Sequence, residues 1–322
     1  MSSRGRYAPS PTGMIHAGNA RTALAAWLSA RSRGGAFVWR LEDLDPPRVV
    51  PGMAEAQMAD LAWLGLDWDE GPDIGGPFAP YAQSQRSAVY EEALRRLAAA
   101  GRLFPCRLSR KDLQAMASAP HGAEEAPYPA SLRPWELAPG WFDELAAGSQ
   151  DAAVRFRVDE RPVSFVDRVQ GAIAERVDLA VGDFVLKRRD GLWAYQLAVV
   201  ADDLAMEIGD VVRGADLLAS TARQIQLIEA LHGTSPAYAH VPLMVNARGE
   251  KLSKRDQGLT LRSLREAGVA PEAVAGYLAF SLGLLDRPEP CRPADLVSAF
   301  TWERIGRADW MLPEDLAGEL RT

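Results

Sequence analysis

With only two cysteines, Cys106 and Cys291, far apart and with no Cys-x-x-Cys partner, the chain offers no disulfide framework and fits a reducing compartment. No apolar run approaches the roughly 20 residues needed to cross a bilayer, and residues 1–6 hold no apolar signal core. A cytoplasmic protein with no membrane partner is therefore expected. Net positive charge is missing too: the formal net charge is -7. That argues against non-specific nucleic-acid binding, whose affinity comes mostly from Lys and Arg neutralising phosphates. A local basic face stays open, with Arg95-Arg96, Arg107-Arg110-Lys111, Lys187-Arg188-Arg189 and Arg262-Arg265 as candidates. What is present is the balance of a globular protein, 48% hydrophobic and 25% charged, in 322 residues and 35.0 kDa, enough for about two domains with ordinary cores.

From residue 6 to about residue 100, strand and helix alternate, as in a doubly wound parallel sheet. A short strand at Arg6 to Ala8 feeds a helix with apolar spacing at Ala20, Ala23, Leu24, Trp27 and Leu28, and a strand from Phe37 to Leu41 follows. Pro51 and Gly52 open an amphipathic helix stopped by Gly65, and another runs from Arg86 to Ala100, closed by Gly101. Residues 102–150 are rich in Pro, Ala and Gly with few periodicities, which predicts an inserted module with a mobile portion from Ala117 to Pro134. Short strands then recur, including Val154 to Val158 and a hairpin at Arg189-Asp190-Gly191. A helix from Asp216 to His232, a strand from His240 to Val245 and helical spacing at Val274, Tyr277, Leu278 and Leu282 complete the pattern. The expected fold class is α/β, a doubly wound parallel, Rossmann-type domain split by an insertion. Residues 1–101 form its first half, 102–185 the inserted module, 186–256 its second half and 257–322 a small helical C-terminal region.

Two segments carry chemistry. In Pro9-Ser10-Pro11-Thr12-Gly13-Met14-Ile15-His16-Ala17-Gly18-Asn19, a turn leads into a helix N-terminus, where unpaired N–H groups and the helix dipole favour an anion. His16 can donate to a phosphate, and Gly18 lets a nucleotide approach the backbone. Far along the chain, after the turn-like Asn246-Ala247-Arg248-Gly249, Lys251-Leu252-Ser253-Lys254-Arg255 can swing ammonium groups onto a leaving pyrophosphate. Alone, the second segment would read as a solvated surface loop and His16 as a cap. In that order they can surround one nucleotide triphosphate.

The pair resembles the signatures of class I aminoacyl-tRNA synthetases, with His16-Ala17-Gly18-Asn19 in place of His-Ile-Gly-His and Lys251 to Arg255 in place of Lys-Met-Ser-Lys-Ser. More narrowly, Arg6-Tyr7-Ala8-Pro9-Ser10-Pro11-Thr12-Gly13, Arg40-Leu41-Glu42-Asp43-Leu44-Asp45 and Val212-Arg213-Gly214-Ala215-Asp216-Leu217 resemble glutamyl-tRNA synthetases. Those enzymes carry anticodon-reading helical domains after the same motif, and these are missing here. The length thus resembles the glutamyl-queuosine tRNA-Asp synthetases, stand-alone relatives of the catalytic domain that vary at the position of Asn19. This resemblance implies tRNA-independent activation of L-glutamate with ATP and Mg²⁺, then transfer to queuosine at the wobble position of tRNA-Asp, by a monomer.

The resemblance also implies site residues. Pro9, His16, Gly18, Asn19 and Lys254 would contact ATP, with His16, Gly18, Lys251 and Lys254 as the catalytic set. Arg6, Ala8, Ser10, Glu42, Tyr195 and Arg213 would form the glutamate pocket, Glu42 facing the ammonium, the two arginines facing carboxylates and Tyr195 hydrogen bonding. Two arginines in one pocket call for a dianionic ligand, because a buried unpaired guanidinium is costly. The family often holds zinc through Cys-x-Cys, a Tyr and a further Cys; here those positions are Cys106, Leu108, Tyr128 and Leu132, so no metal is expected. Three other readings stay open: a truncated glutamyl- or glutaminyl-tRNA synthetase charging a 3′ end, a catalytically silent tRNA-binding paralogue, and a pantothenate-synthetase-like nucleotidyl enzyme.

Overall fold

Strand β1 (Gly5–Tyr7) turns into helix α1 (Ala17–Arg31) and returns as β2 (Phe37–Trp39), paired in parallel with β1. These bounds come from a computed structural model, which describes residues 4–108, 112, 127–146, 151–252 and 257–321. Helices α2 (Met53–Trp63) and α3 (Ser87–Ala99) follow, then strands β3 (Leu103–Cys106), β4 (Ala153–Phe156), β5 (Pro162–Asp167), β6 (Gly171–Arg176) and β7 (Phe184–Lys187). Next come α4 (Tyr195–Ala205), β8 (Asp210–Gly214), α5 (Thr221–Ala230), β9 (Ala237–Val241) and β10 (Met244–Val245). The chain closes with α6 (Leu261–Glu266), α7 (Pro271–Ser281), the short strand β11 (Trp310–Met311) and a last helical turn.

The central sheet has the order β2-β1-β8-β9-β5-β6. Every neighbouring pair in it is parallel except β5 with β6. Helices cover both faces of β2, β1, β8 and β9, which bury side chains on both sides. On one face α1 is nearly all buried; its alanines let Leu24 and Leu28 press close to the sheet, and Leu278 and Leu282 of α7 join them. On the other face Tyr90, Leu94 and Leu97 of α3, Leu197 and Val200 of α4, and Ile225 and Ile228 of α5 form a second core. Each of these fully buried large side chains contributes roughly 1.5–3 kcal/mol.

The structure departs from the sequence-based expectation in three places. Residues 162–176, inside the segment expected to be a separate module, form the β5–β6 hairpin and extend the central sheet, β5 meeting β9 at Asp167 and Tyr238. In the hairpin apolar residues adjoin one another, as at Phe165-Val166 and Ala172-Ile173-Ala174, so its period-2 pattern is faint; Asp167 closes its turn by accepting from the backbone N–H groups of Val169 and Gln170. Other described residues of that segment enter the antiparallel sheet β3-β4-β7. Second, the strand expected from His240 to Val245 is broken at Pro242, which has no N–H to give a ladder, leaving β9 and β10. Third, the helix expected from Asp216 begins as a 3₁₀ turn, Ala215–Ser220, before α5. The turn at Arg189-Asp190-Gly191 is present, with Gly191 at φ +86° and a bridge between Lys187 and Trp193.

Candidate active site

Strand order reverses between β1 and β8, since β1 leads outward to β2 on one side while β8 leads to β9 on the other. Crevices at such a reversal, beyond the carboxyl ends of the strands, are where open α/β sheets bind ligands. A cavity of about 1160 Å³ opens there. Its wall includes Arg6, Ala8, Pro9 and Ser10 from the end of β1, His16, Gly18 and Asn19 at the start of α1, and Glu42 after β2. Tyr195 opens α4 and Arg213 nearly ends β8, and both line the same space, as does Lys251. All the residues expected at the site are thus brought together except Lys254, which lies outside the described residues along with Ser253, Arg255 and Asp256.

At one end of the cavity, charge is arranged with care for burial. Arg6 and Arg213 are 4% and 5% exposed, yet neither has a dedicated carboxylate at close range. Arg6 donates through Nε to Asp203 at 3.3 Å and through Nη1 to the Val212 carbonyl at 3.3 Å. Asp203 in turn is held more tightly by the wholly buried Arg40, at 2.5 Å, and Arg40 also reaches Glu42 at 3.1 Å. Burial by itself would raise the Asp203 carboxyl, but the guanidiniums of Arg40, Arg6 and Arg213 overcome it and hold it below the usual range. For Glu42 burial prevails and raises the carboxyl, although Arg40 and Arg6 oppose it. Burial likewise raises the Tyr195 phenol, which feels Glu42, Arg213 and Arg6 at once. Arg213 donates to His240 and Thr221, each at 2.9 Å, while its Nη1 is buried without a hydrogen-bond partner among the described residues. A buried orphan donor costs about 1–3 kcal/mol, so this one marks a place for an acceptor on a ligand.

At the other end, His16 caps α1: its Nδ1 accepts from the Asn19 N–H at 3.2 Å, which puts the ring proton on Nε2 in the neutral form. Gly18 is needed there for a reason additional to nucleotide approach, since a Cβ would sit 3.1 Å from the His16 ring. Lys251 follows the Asn246 turn, whose Gly249 has φ +77°, and pairs with Asp216 on the facing loop. Gln57 of α2 donates to the carbonyls of Ser10, at 3.2 Å, and Gly13, at 2.7 Å, pinning the loop between the two ends.

Sequence reasoning missed Arg40, Asp203, Gln57 and His240. Arg40 precedes Glu42 by two residues, the spacing that places side chains on one side of an extended segment. Asp202-Asp203 stands within the otherwise apolar α4, and paired acids in such a helix signal buried cationic partners; Asp202 meets Arg86 at 2.5 Å. The suggested basic clusters are partly neutralised where described. Arg95 pairs with Glu91 and Glu92, Arg188 with Asp190 and Arg189 with Asp151.

As for metals, no group of three His, Cys, Asp or Glu is placed to hold an ion among the described residues. At the four positions that the family resemblance associates with zinc, Leu108 and Leu132 pack against Phe104, Cys106 and Tyr128. One thiol and one phenol beside two leucines do not make a zinc donor set.

This site, at the switch point of a split Rossmann-type sheet, has the form of a class I synthetase centre. A family model for class I tRNA synthetases (E and Q), catalytic domain, matches residues 3–311, and the chain belongs to that family. Within it, the chain is 48% identical over 319 residues to Glutamyl-Q tRNA(Asp) synthetase of Symbiobacterium thermophilum, covering 98% of each. It is 45% identical to the protein of the same name from Nitratidesulfovibrio vulgaris, covering 99% of this chain and 98% of that one. Among solved structures, a glutamate tRNA ligase from Elizabethkingia meningosepticum, in complex with its amino acid, matches with a TM-score of 0.85 at 29% identity, over 98% of this chain and 68% of the ligase.

Proposed function

We propose that the protein activates L-glutamate with ATP, without tRNA, and transfers the glutamyl group to queuosine at the wobble position of tRNA-Asp. One observation carries this reading: the cavity that would hold glutamate lies in a chain aligned nearly end to end with Glutamyl-Q tRNA(Asp) synthetases. In the first step a glutamate α-carboxylate oxygen bonds to the α-phosphorus of ATP and pyrophosphate leaves. Positioning and charge neutralisation do the work, with no acid–base group required.

Arg6 and Arg213 would face the substrate carboxylates, Glu42 its ammonium, and Tyr195, Ala8 and Ser10 would complete that end. Pro9, His16, Gly18 and Asn19 would receive the nucleotide, His16 donating through Nε2, and Lys251 and Lys254 would neutralise the leaving pyrophosphate. Mg²⁺ would enter with ATP, bound by its phosphates. The chain would work as a cytoplasmic monomer. The hydroxyl of the queuosine cyclopentenediol then attacks the adenylate carbonyl, and AMP leaves.

Incubation with labelled glutamate, ATP and bulk tRNA, followed by periodate treatment, tests this. Alkali-labile label at the wobble base of tRNA-Asp, with its diol protected from periodate, is the expected result. Label at the 3′ ribose of tRNA-Glu would replace this reading with that of a tRNA-charging enzyme.

A further inference from the structure

The geometry points to His240 and Asp167 as a positioning pair that aims Arg213 into the pocket without neutralising it, and so sets the selection of a carboxylate ligand; this rests on the glutamate reading of the cavity.

Four adjacent strands present these groups in a row. Arg213 on β8 and His240 on β9 are register partners, and Asp167 ends β5, opposite Tyr238 of β9. Arg6 stands on β1, beyond β8. A guanidinium has only donors, so the 2.9 Å contact from Arg213 Nε requires His240 Nε2 to be an acceptor. The ring proton is then on Nδ1, which donates to Asp167 Oδ2 at 2.6 Å. Asp167 is itself immobilised, its Oδ1 accepting from the backbone N–H groups of Val169, Gln170 and His240. Thr221 takes a second Arg213 hydrogen bond, at 2.9 Å, and lies 3.2 Å from the same His240 nitrogen. His240 is wholly buried and Asp167 is 1% exposed.

A carboxylate in place of His240 would also orient Arg213, but it would satisfy the positive charge before substrate arrived. A neutral imidazole accepts the hydrogen bond and leaves the charge, with the unpartnered Nη1, to the ligand. The Asp167 carboxylate stays one imidazole away from Arg213, and the Asp203 carboxylate, which also feels the Arg213 charge, is taken up by Arg40 and Arg6. The charged and titratable groups around His240 are Asp167 from β5, Arg213 from β8, Arg6 from β1 and Tyr238 of its own strand, whose ring stacks at 6.3 Å. None offers Arg213 another acceptor for Nε. His240 touches no substrate atom in this arrangement and acts through Arg213.

Glutamate-dependent exchange of ATP with pyrophosphate, run on the full chain without tRNA, provides the test. H240L, which removes the acceptor, should raise the KM for glutamate by about tenfold to a hundredfold. The KM for ATP and the kcat at saturating glutamate should stay near wild type, and preference for glutamate over glutamine should fall. H240Q, a neutral acceptor of similar reach, should recover part of the loss, and D167N should lie between. Should H240L fail to fold, shown by circular dichroism, H240Q and D167N decide the matter against the same parameters. Unchanged glutamate KM in these variants, or equal damage to glutamate and ATP parameters, overturns the proposal. R213A separates the two levels: no effect of R213A on glutamate KM defeats the reading of the pocket, whereas a large R213A effect beside silent His240 and Asp167 variants defeats only the positioning role.

Discussion

On the proposed reading, Arg213 is the side chain on which selection would turn. Its Nη1 is buried without a hydrogen-bond partner among the described residues, and its side-chain hydrogen bonds go to the neutral His240 and Thr221, so on the proposed reading its removal would deprive a substrate carboxylate of a fork. Arg213→Ala is expected to lower kcat/KM for glutamate by about 3 kcal/mol, on the order of a hundredfold, in pyrophosphate exchange. Arg213→Lys should recover only part, since an ammonium keeps the charge but loses the planar geometry. Lys254 is expected to behave differently, because its charge matters as pyrophosphate departs: Lys254→Ala should cut the adenylation rate far more than glutamate affinity, as single-turnover kinetics would show. Equal losses in both would remove that role.

The same cluster sets a pH dependence. Burial pushes the His240 imidazole below its ordinary value, with Asp167 opposing and Arg213 reinforcing the shift. The unfolded chain therefore takes up the proton more readily than the folded one. His240's contribution to stability is complete above about pH 6.5 and is lost as pH falls from there through the depressed folded value. Urea denaturation is expected to show wild type losing stability relative to His240→Gln between about pH 6.5 and 5. A difference that stays constant across that range would show that His240 does not titrate there.

At the scale of elements, the site depends on how the strand ends and the loop after β1 are locked together. Backbone hydrogen bonds from Arg40 to the Tyr7 carbonyl and from Glu42 to that of Pro9 tie the segment after β2 to the end of β1. Gln57 then ties α2 to the Ser10 loop. The C-terminal region is fastened as closely. In α7, Gly276 faces the Glu289 carbonyl, and a Cβ there would lie 2.0 Å from that oxygen and 3.3 Å from the Cα of Pro290. Backbone atoms cannot rotate away as a side chain does, so Gly276→Ala should destabilise the fold by about 1–3 kcal/mol, read as a lower Tm in calorimetry. An unchanged Tm would mean that residues 289–290 shift freely.

For the whole molecule, the β3-β4-β7 sheet is held by packing. Leu108, Leu132 and Leu137 pack onto Phe104, Cys106 and Tyr128, and Cys106 lies 3.8 Å from the Tyr128 hydroxyl. Elemental analysis is expected to find no stoichiometric zinc, and a zinc chelator should leave Tm unchanged. One zinc per chain would contradict this.

From the sequence alone, α1, α2 and α3 were legible to within a few residues, because each has helical apolar spacing and a glycine or turn residue at an end. The first signature segment lines the cavity, as do Lys251 and Leu252 of the second, whose remaining residues lie outside the described ones. The β5–β6 hairpin was not legible as part of the central sheet. Its adjoining apolar residues carry little period-2 signal, and its place depends on β9, far along the chain. The sequence by itself determined the α/β class and the helix start at Ala17, since these are local patterns of spacing and turn chemistry. Only the tertiary structure decided that Arg40 partners Asp203 and that His240 orients Arg213. The second depends on parallel strands laid side by side and the first on helix α4 packing against the end of β2, and each joins residues that no short-range pattern connects.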